Sequence, residues 1–410
     1  TRKLSVYKEP EFLKMIEIIR NADIAFTNLE MLFHDYEAYP MHRSGGTYMR
    51  GDPQLAHEIK WAGFDMVSTA NNHTGDYGVE GMRLTLKYVK EAGLINAGSG
   101  ESLAEAREAK FLETAPGRVA LISCASTFPD HSRAGKSRDD IPSRPGLSPL
   151  RYTTRYMVTA DHMKKLTDVG KDLGLLHDTL QVSSRVRLWG QNYELADEAE
   201  IITEPRNEDI EEIAAVVRNA SQLADITIVT IHAHERAGEL SIPAQFLVTF
   251  ARAMIDAGAD IMVGHGPHVL RGIEIYKNKP IFYSLGDFMF QNETLLRLPN
   301  ENYERYNLDA NSHVGDFNNV RYKFDSIGFP SRPKVWESVI AVPSWQGSDL
   351  QSIILYPITL GYGKPRQVRG RPMLADESLG KKIIQDIIDL SKPFGTTIEW
   401  KKGLGVVQIK

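Results

Sequence analysis

The sequence predicts a layered α/β sandwich. Three observations carry that expectation. Helical periodicity alternates with short apolar strands through the first third of the chain. The run Ile226–Ile231 is β-branched throughout, with Thr227 and Thr230 the only residues in it that are not apolar, as in a strand covered on both faces. The second half is richer in strand signals than in helical ones, which suits stacked layers rather than a helical bundle.

Taken in order, Glu11–Arg20 places Phe12, Met15, Ile16 and Ile19 at helical spacing, and Asp23–Asn28 follows as a short buried strand. Asp52-Pro53 reads as a helix start, with Asp as the cap and Pro at the first helical position. That helix runs to Gly63, a C-terminal stop. Phe64–Thr69 is the next strand, Val79–Ala92 a helix ending at Gly93, and Ser102–Lys110 a further helix. Phe111–Thr114 and Val119–Cys124 read as paired strands around the turn at Pro116-Gly117. Thr127–Pro205 breaks this rhythm. Pro, Arg, Asp and Ser dominate Pro129–Pro149, a helix is expected near Ala160–Leu176, and the whole stretch reads as an insertion.

Alternation resumes with a helix at Ile210–Leu223, the Ile226–Ile231 strand and a helix at Pro243–Ala257 that stops at Gly258. Strands follow at Asp260–Val263, Arg271–Tyr276 and Pro280–Ser284, then an irregular segment at Gln291–Lys334. The tail holds strands near Val339–Val342 and Gln351–Leu360, a helix at Lys381–Leu390 and a hairpin at Thr397–Lys410. Residues 1–290 thus read as one α/β sandwich with an insertion at about 127–205. Residues 291–410 read as the irregular segment plus the strands and helix that complete the sandwich.

Composition narrows the function classes. The 410 residues carry 48 Lys and Arg against 53 Asp and Glu, a net charge of −5, which argues against a dedicated nucleic-acid binder. No apolar run approaches the roughly 18 residues of a membrane helix. The single cysteine, Cys124, excludes an internal disulfide and Cys-based zinc, iron–sulfur or redox motifs, and reads as a buried strand residue. Chemistry therefore falls to the 12 His and the carboxylates. The chain opens at Thr1 rather than Met, and Thr1–Lys8 lacks the apolar core of a signal peptide; it reads as clipped upstream. Cytoplasm and cell envelope both stay open as locations.

Polar clusters recur just past strand ends, where open α/β sheets place their ligands. They are Asn28-Leu29-Glu30, Asn71-Asn72-His73, His232-Ala233-His234-Glu235, Gly264-His265-Gly266-Pro267-His268 and, more weakly, Ser284-Leu285-Gly286-Asp287. Singly, each is explained as a turn former, a helix cap or a solvated loop residue. Together they count for more, because parallel strands align their ends on one sheet edge. Imidazole with carboxylate is the usual donor set for zinc, manganese, iron or nickel, and also the usual acid–base pair. Asp76-Tyr77-Gly78 reads as a turn before the following helix, and Gly98-Ser99-Gly100 lacks the spacing of a nucleotide-binding loop. Arg133, Lys136, Arg138, Arg144, Arg151 and Arg155 of the insertion read as a solvated face, with a lid that grips an anionic substrate as the alternative.

Three long segments, ADIAFTNLE (22–30), GFDMVSTANNHTGDYGVEGMRLTLKYVKEAGL (63–94) and GADIMVGHGPHVLRGIEIYKNKPIFYSLGDFMF (258–290), resemble the poly-γ-glutamate capsule-biosynthesis proteins of the CapA type. The likeness runs from about Ala22 to Phe290. That family is similar to calcineurin-like metallophosphoesterases. The resemblance implies a four-layer α/β/β/α sandwich with a dimetal-type site at the strand ends. By the same resemblance Glu30 stands at the bridging carboxylate, Asn72 at the Asn ligand of a GNH motif, His232 at an isolated His ligand, and His265 and His268 at the closing His pair. His73 takes the place of a general acid or transition-state stabiliser.

The sequence departs from the family pattern in three places. The opening Gly-Asp strand is not visible, the usual HWG is HAH, adding His234, and the usual SLGNF is SLGDF, adding Asp287. His73, His234 and Asp287 are the catalytic candidates, and Glu30, Asn72, His232, His265 and His268 the metal candidates. The implied activity is a metal-dependent hydrolase, with Mn, Fe or Zn, acting on amide or phosphoester bonds of a peptide-like or anionic small molecule or polymer. A metal-free acid–base enzyme, such as a peptide Cα epimerase, and a non-catalytic accessory of capsule synthesis or export are the alternatives.

Overall fold

The structure is a computed structural model that describes residues 3–177 and 183–409. Thr1 and Arg2, residues 178–182 of the expected insertion, and Lys410 at the end of the expected hairpin lie outside the described residues. Strand Ile226–His232 is at the heart of a six-stranded sheet. It pairs in parallel with Arg118–Ala125 on one side and Ile261–His265 on the other. Lys279–Phe282 extends the parallel set, and Ile273–Tyr276 and Lys110–Glu113 close the two edges in antiparallel fashion.

Side chains alternate across this sheet, as the two-residue period of a strand requires. Ala120, Ile122, Val229, Ile231 and Met262 face helices Asn207–Ser221 and Gln245–Asp256, meeting Ile213, Val217, Phe250 and Met254. Leu121, Ile228, Ile261 and Phe282 face the opposite way, into a second β-layer. That layer joins a parallel sheet of Phe26–Asn28, Met66–Ser68 and Ile95–Ala97 to an antiparallel sheet built on Glu337–Gln346 and Asp349–Thr359. Its far face carries Val67 and Ile358 against helices Pro10–Arg20, Leu55–Ala62 and Gly78–Glu91, through Phe12, Met15, Ile16, Ile19 and Val89. The order helix, sheet, sheet, helix is the four-layer sandwich expected. Helix Glu377–Ser391 adds Ile383, Ile384 and Ile387 to the core between the sheets. A Ser68–Ser123 hydroxyl contact of 2.6 Å crosses between the β-layers near the strand ends that carry the polar clusters.

Several elements differ from their sequence expectation. Asp52 does not cap the helix at Pro53; its carboxylate accepts the Gln54 N–H in a turn, and the helix begins at Leu55. Gly63 does end that helix, at φ +107°. The helix expected over Ser102–Lys110 stops at Arg107, because the chain is drawn into the edge strand Lys110–Glu113. Strands Tyr152–Val158, Arg185–Leu188, Gln191–Leu195 and Glu200–Pro205 form a separate four-stranded sheet, with helix Ala160–Asp172 packed on it through Met163. Arg185–Leu188 alternates exposed Arg with buried Val186 and Leu188, but over only four residues, and the other three strands mix polar and apolar residues without a clean two-residue period. The irregular 291–334 segment includes helices Asn300–Glu304 and Val314–Arg321. Among the described residues no helix is long and apolar enough to cross a membrane.

Candidate active site

Parallel pairing fixes the heart of the site. Ile226–His232 and Ile261–His265 run in a register that sets His232 beside His265, so one strand step aligns two imidazoles at one sheet edge. His232 is fully buried; its Nδ1 lies 3.0 Å from His265 Nδ1 and its Nε2 lies 3.0 Å from His234 Nε2. Gly266, at φ +114°, makes this approach possible. A Cβ there would come within 2.9 Å of His234 Cδ2 and 3.0 Å of His232 Nε2. Burial pushes all three imidazoles towards the neutral form, His234 and His265 to about 3 and His232 well below its ordinary value. Neutral imidazoles offer lone pairs, the form in which His binds a metal.

The second β-layer brings its own strand ends across the gap. Glu30, two residues past Phe26–Asn28, has Oε2 3.9 Å from His232 Nδ1, and Oε1 4.0 Å from His73 Nε2 and 3.8 Å from His268 Nε2. Burial raises the Glu30 carboxyl above its ordinary value, against the pull of His268 and His73. Asn71 braces the turn: its amide donates to the Leu29 carbonyl at 2.8 Å, and its Oδ1 accepts the His73 N–H at 3.0 Å. Asn72 donates to the Gly45 carbonyl at 3.0 Å, while its Oδ1 is buried without a protein partner.

Two imidazoles are oriented by carboxylates. His73 Nδ1 meets Asp76 Oδ2 at 2.7 Å, and His268 Nδ1 meets Asp287 Oδ1 at 3.0 Å. Each ring therefore turns Nε2 towards Glu30. Burial alone lowers both, but Asp76 and Glu30 outweigh it at His73, and Asp287 and Glu30 carry His268 up to about 9. His268 sits at φ +57°, an uncommon conformation for a residue with a Cβ. Phe290 and Phe329 pack on its ring, at 5.6 and 5.0 Å between centroids.

Glu30, Asn72, His73, His234, His265, His268 and Asp287 all line one cavity of about 490 Å³, with His232 buried directly beneath it. Every expected site residue is thus brought to one place. Glu30, His232 and His234 offer ligand atoms that all lie within 4.8 Å of one another. Beside them, Asn72 Oδ1 and His265 Nε2 are buried and without hydrogen-bond partners. A buried polar atom left unpaired costs roughly 1–3 kcal/mol, and one carboxylate, neutral imidazoles and an amide oxygen are the donors that suit a divalent cation. The residues present fit such an ion.

Sequence reasoning missed Asp76. It lies three residues after His73, and that spacing on a helical turn was the available signal. It also missed Thr127, whose hydroxyl accepts the His234 N–H at 2.8 Å, and the aromatic wall that Phe329 of the 291–334 segment completes with Phe290. Glu235, although adjacent to His234, turns away and accepts from Ser126 and Thr127 at 2.7 and 2.9 Å. The basic residues of the insertion do not line the cavity. Lys136 pairs with Glu208 and Glu212, Arg138 with Asp140, Arg151 with Asp209, and Arg155 with Glu194 and Glu204.

Residues 5–292, the stretch that carries every site residue expected from the sequence, match the family described as bacterial capsule synthesis protein PGA_cap. The chain belongs to the PGA_cap family. An uncharacterized protein of Sinorhizobium fredii, y4sH, is 38% identical over 426 residues, covering 100% of this chain and 91% of that protein. The capsule biosynthesis protein CapA of Bacillus anthracis is 27% identical over 274 residues, which is 66% of this chain and 51% of that protein. A solved structure, a novel phosphatase of Mycoplasma pneumoniae, aligns over 84% of this chain and 83% of its own at 10% identity and a TM-score of 0.32. PGA_cap membership thus covers the site strands and the imidazole cluster, and the layer order described above stands on this chain's own packing.

Proposed function

We propose that this PGA_cap protein is a metal-dependent hydrolase of amide bonds in γ-glutamyl or other peptide-like substrates, with phosphoesters as the other class open to the same donor set. The observation that carries the reading is the convergence of Glu30, His232 and His234 ligand atoms within 4.8 Å. These residues would hold a divalent cation, with Asn72 Oδ1, His265 and His268 as the neighbouring donors. Such an ion, when bound, supplies Lewis-acid activation of water and of the scissile group.

The chain's own residues do the remainder. His73, held by Asp76 through Nδ1, presents Nε2 to the cavity and can hand a proton to the leaving nitrogen or oxygen. Phe290 and Phe329 pack edge-on to the His268 ring and make that side of the cavity apolar. The test is elemental analysis of the purified protein followed by hydrolysis assays on γ-glutamyl peptides and on an aryl phosphate, before and after chelation. We expect bound divalent metal, hydrolysis of one of these substrate classes, and loss of both in His232→Ala. Hydrolysis that survives complete removal of metal would overturn the reading.

A second reading draws on the two carboxylate-oriented imidazoles. His73 and His268 both bring Nε2 to within 4.0 Å of Glu30 Oε1, from different loops. Two imidazoles meeting at one point of the cavity are the groups that would remove and return a proton at a substrate Cα. Chelator-insensitive uptake of deuterium at Cα of a peptide probe would favour this chemistry over hydrolysis.

A further inference from the structure

Helix Val314–Arg321 lies in the 291–334 segment, beyond the residues that match the family. At its end, Arg321 reaches the wall of the active-site cavity beside Gly45, Gly46 and Thr47. Among the described residues of that wall it is the one Arg or Lys. Its single hydrogen bond within the protein goes from Nη1 to the Thr47 hydroxyl, a neutral acceptor, and no carboxylate pairs with it among the described residues.

The neighbouring arginines are bound quite differently. Arg366 donates to Asp325 and Asn319, Arg369 pairs with Glu293 and Asp325, and buried Arg271 donates to the Leu240 and Glu235 carbonyls. Arg321 is nevertheless held in place. Its guanidinium lies over the rings of Phe317 and Tyr322, 5.6 and 5.2 Å from their centroids. A guanidinium fixed on aromatic faces, with donors left over and a cavity in front of it, is arranged for an oxyanion.

We propose that Arg321, positioned by Thr47, Phe317 and Tyr322, binds an oxyanion of the substrate while the bond to be cleaved lies at the Glu30–His232–His234 cluster. The inference rests on the hydrolase reading for that second clause only. The oxyanion is a carboxylate in a γ-glutamyl substrate or a phosphate in a phosphoester, and the guanidinium fork suits either. This assigns to the 291–334 segment the anion grip that the sequence placed in the basic insertion, whose basic residues do not line the cavity.

The experiment measures binding by calorimetry, so that it does not depend on turnover. The full chain is titrated with γ-glutamylglutamate, with the same dipeptide amidated at every carboxyl, and with inorganic phosphate. We expect the wild type to bind γ-glutamylglutamate or phosphate, to lose about tenfold or more in affinity for the amidated dipeptide if the carboxylate is the ligand, and to bind the preferred anion about 10- to 100-fold more weakly in Arg321→Met, with partial recovery in Arg321→Lys. Metal content is measured alongside and stays at the wild-type level in both variants. Because the comparison of the two dipeptides is made in the wild type, a variant that fails to fold does not remove the test. Equal affinity of wild type and Arg321→Met for the anions, or no binding of either anion by the wild type, overturns the proposal. Arg321-dependent binding without hydrolysis of any probe would instead count against the hydrolase reading and leave the oxyanion site standing.

Discussion

Asp76 joins a buried polar network to the site, and its loss can be worked out from the bonds it makes. The side chain is fully buried. Its Oδ1 accepts the Gly45 N–H at 2.8 Å; its Oδ2 accepts the Met49 N–H at 2.8 Å and faces His73 Nδ1 at 2.7 Å. Gly45 in turn leans on Asn72, whose amide donates to its carbonyl and whose backbone oxygen would be 2.2 Å from a Cβ placed on Gly45. Asp76 therefore ties the 41–49 loop to Asn72 and His73.

In Asp76→Asn the shape is kept, but one oxygen becomes an NH2. The better orientation keeps the oxygen towards Met49 and His73 and turns the NH2 against the Gly45 N–H. One half-buried backbone donor is left without an acceptor, at a cost towards the lower end of about 1–3 kcal/mol. Asp76→Ala strands all three donors and should cost at least about 3 kcal/mol, a large share of the 5–15 kcal/mol typical of whole domains. Urea unfolding followed by tryptophan fluorescence reads both, as a lowered midpoint at unchanged slope. Asp140→Asn, at an exposed pair with Arg138, is the control and should stay within about 0.5 kcal/mol of wild type. An Asp76→Asn variant as stable as this control would refute the network account.

Other expectations can be checked in the same preparations. Phe250→Ala, which empties a fully buried position between helix Gln245–Asp256 and the six-stranded sheet, should cost about 3–5 kcal/mol by urea midpoint. Gly266→Ala forces a Cβ against His232 and His234 and should lower bound metal to less than half, measured by elemental analysis; Gly347→Ala, also at positive φ but in open space, should not. His34 is fully buried, its Nδ1 accepts the Tyr36 N–H at 3.1 Å, and burial followed by the Arg50 charge lowers it from 6.5 to about 4. Between those values the unfolded chain binds the extra proton and the folded one does not. The stability that His34 contributes is therefore complete above pH 6.5 and falls as the pH drops towards 4. The stability gap between wild type and His34→Phe should then be about 2 kcal/mol smaller at pH 5 than at pH 8, by urea unfolding at each pH. An equal gap at both would sink that account.

What the sequence determined by itself was set by short-range rules. Helix Pro10–Arg20 buries the four apolar residues that its spacing marks, Phe12, Met15, Ile16 and Ile19. The core strands fell where runs of apolar and β-branched residues placed them, and the residues of the site were visible as polar clusters just beyond them. Their chemistry was legible because His, Glu and Asn at successive strand ends have few other reasons to recur. Only the tertiary structure decided how those clusters meet. Parallel register laid His232 beside His265, the two-layer stacking carried Glu30 across from another sheet, and the Gly266 backbone allowed His234 to close on His232. Asp76 looked like a turn residue and Arg321 like part of an irregular stretch. Each acquires its role from a partner far away in the chain or from a cavity that no local pattern encodes, since hydrogen bonding and charge depend on distances that only the packed layers set.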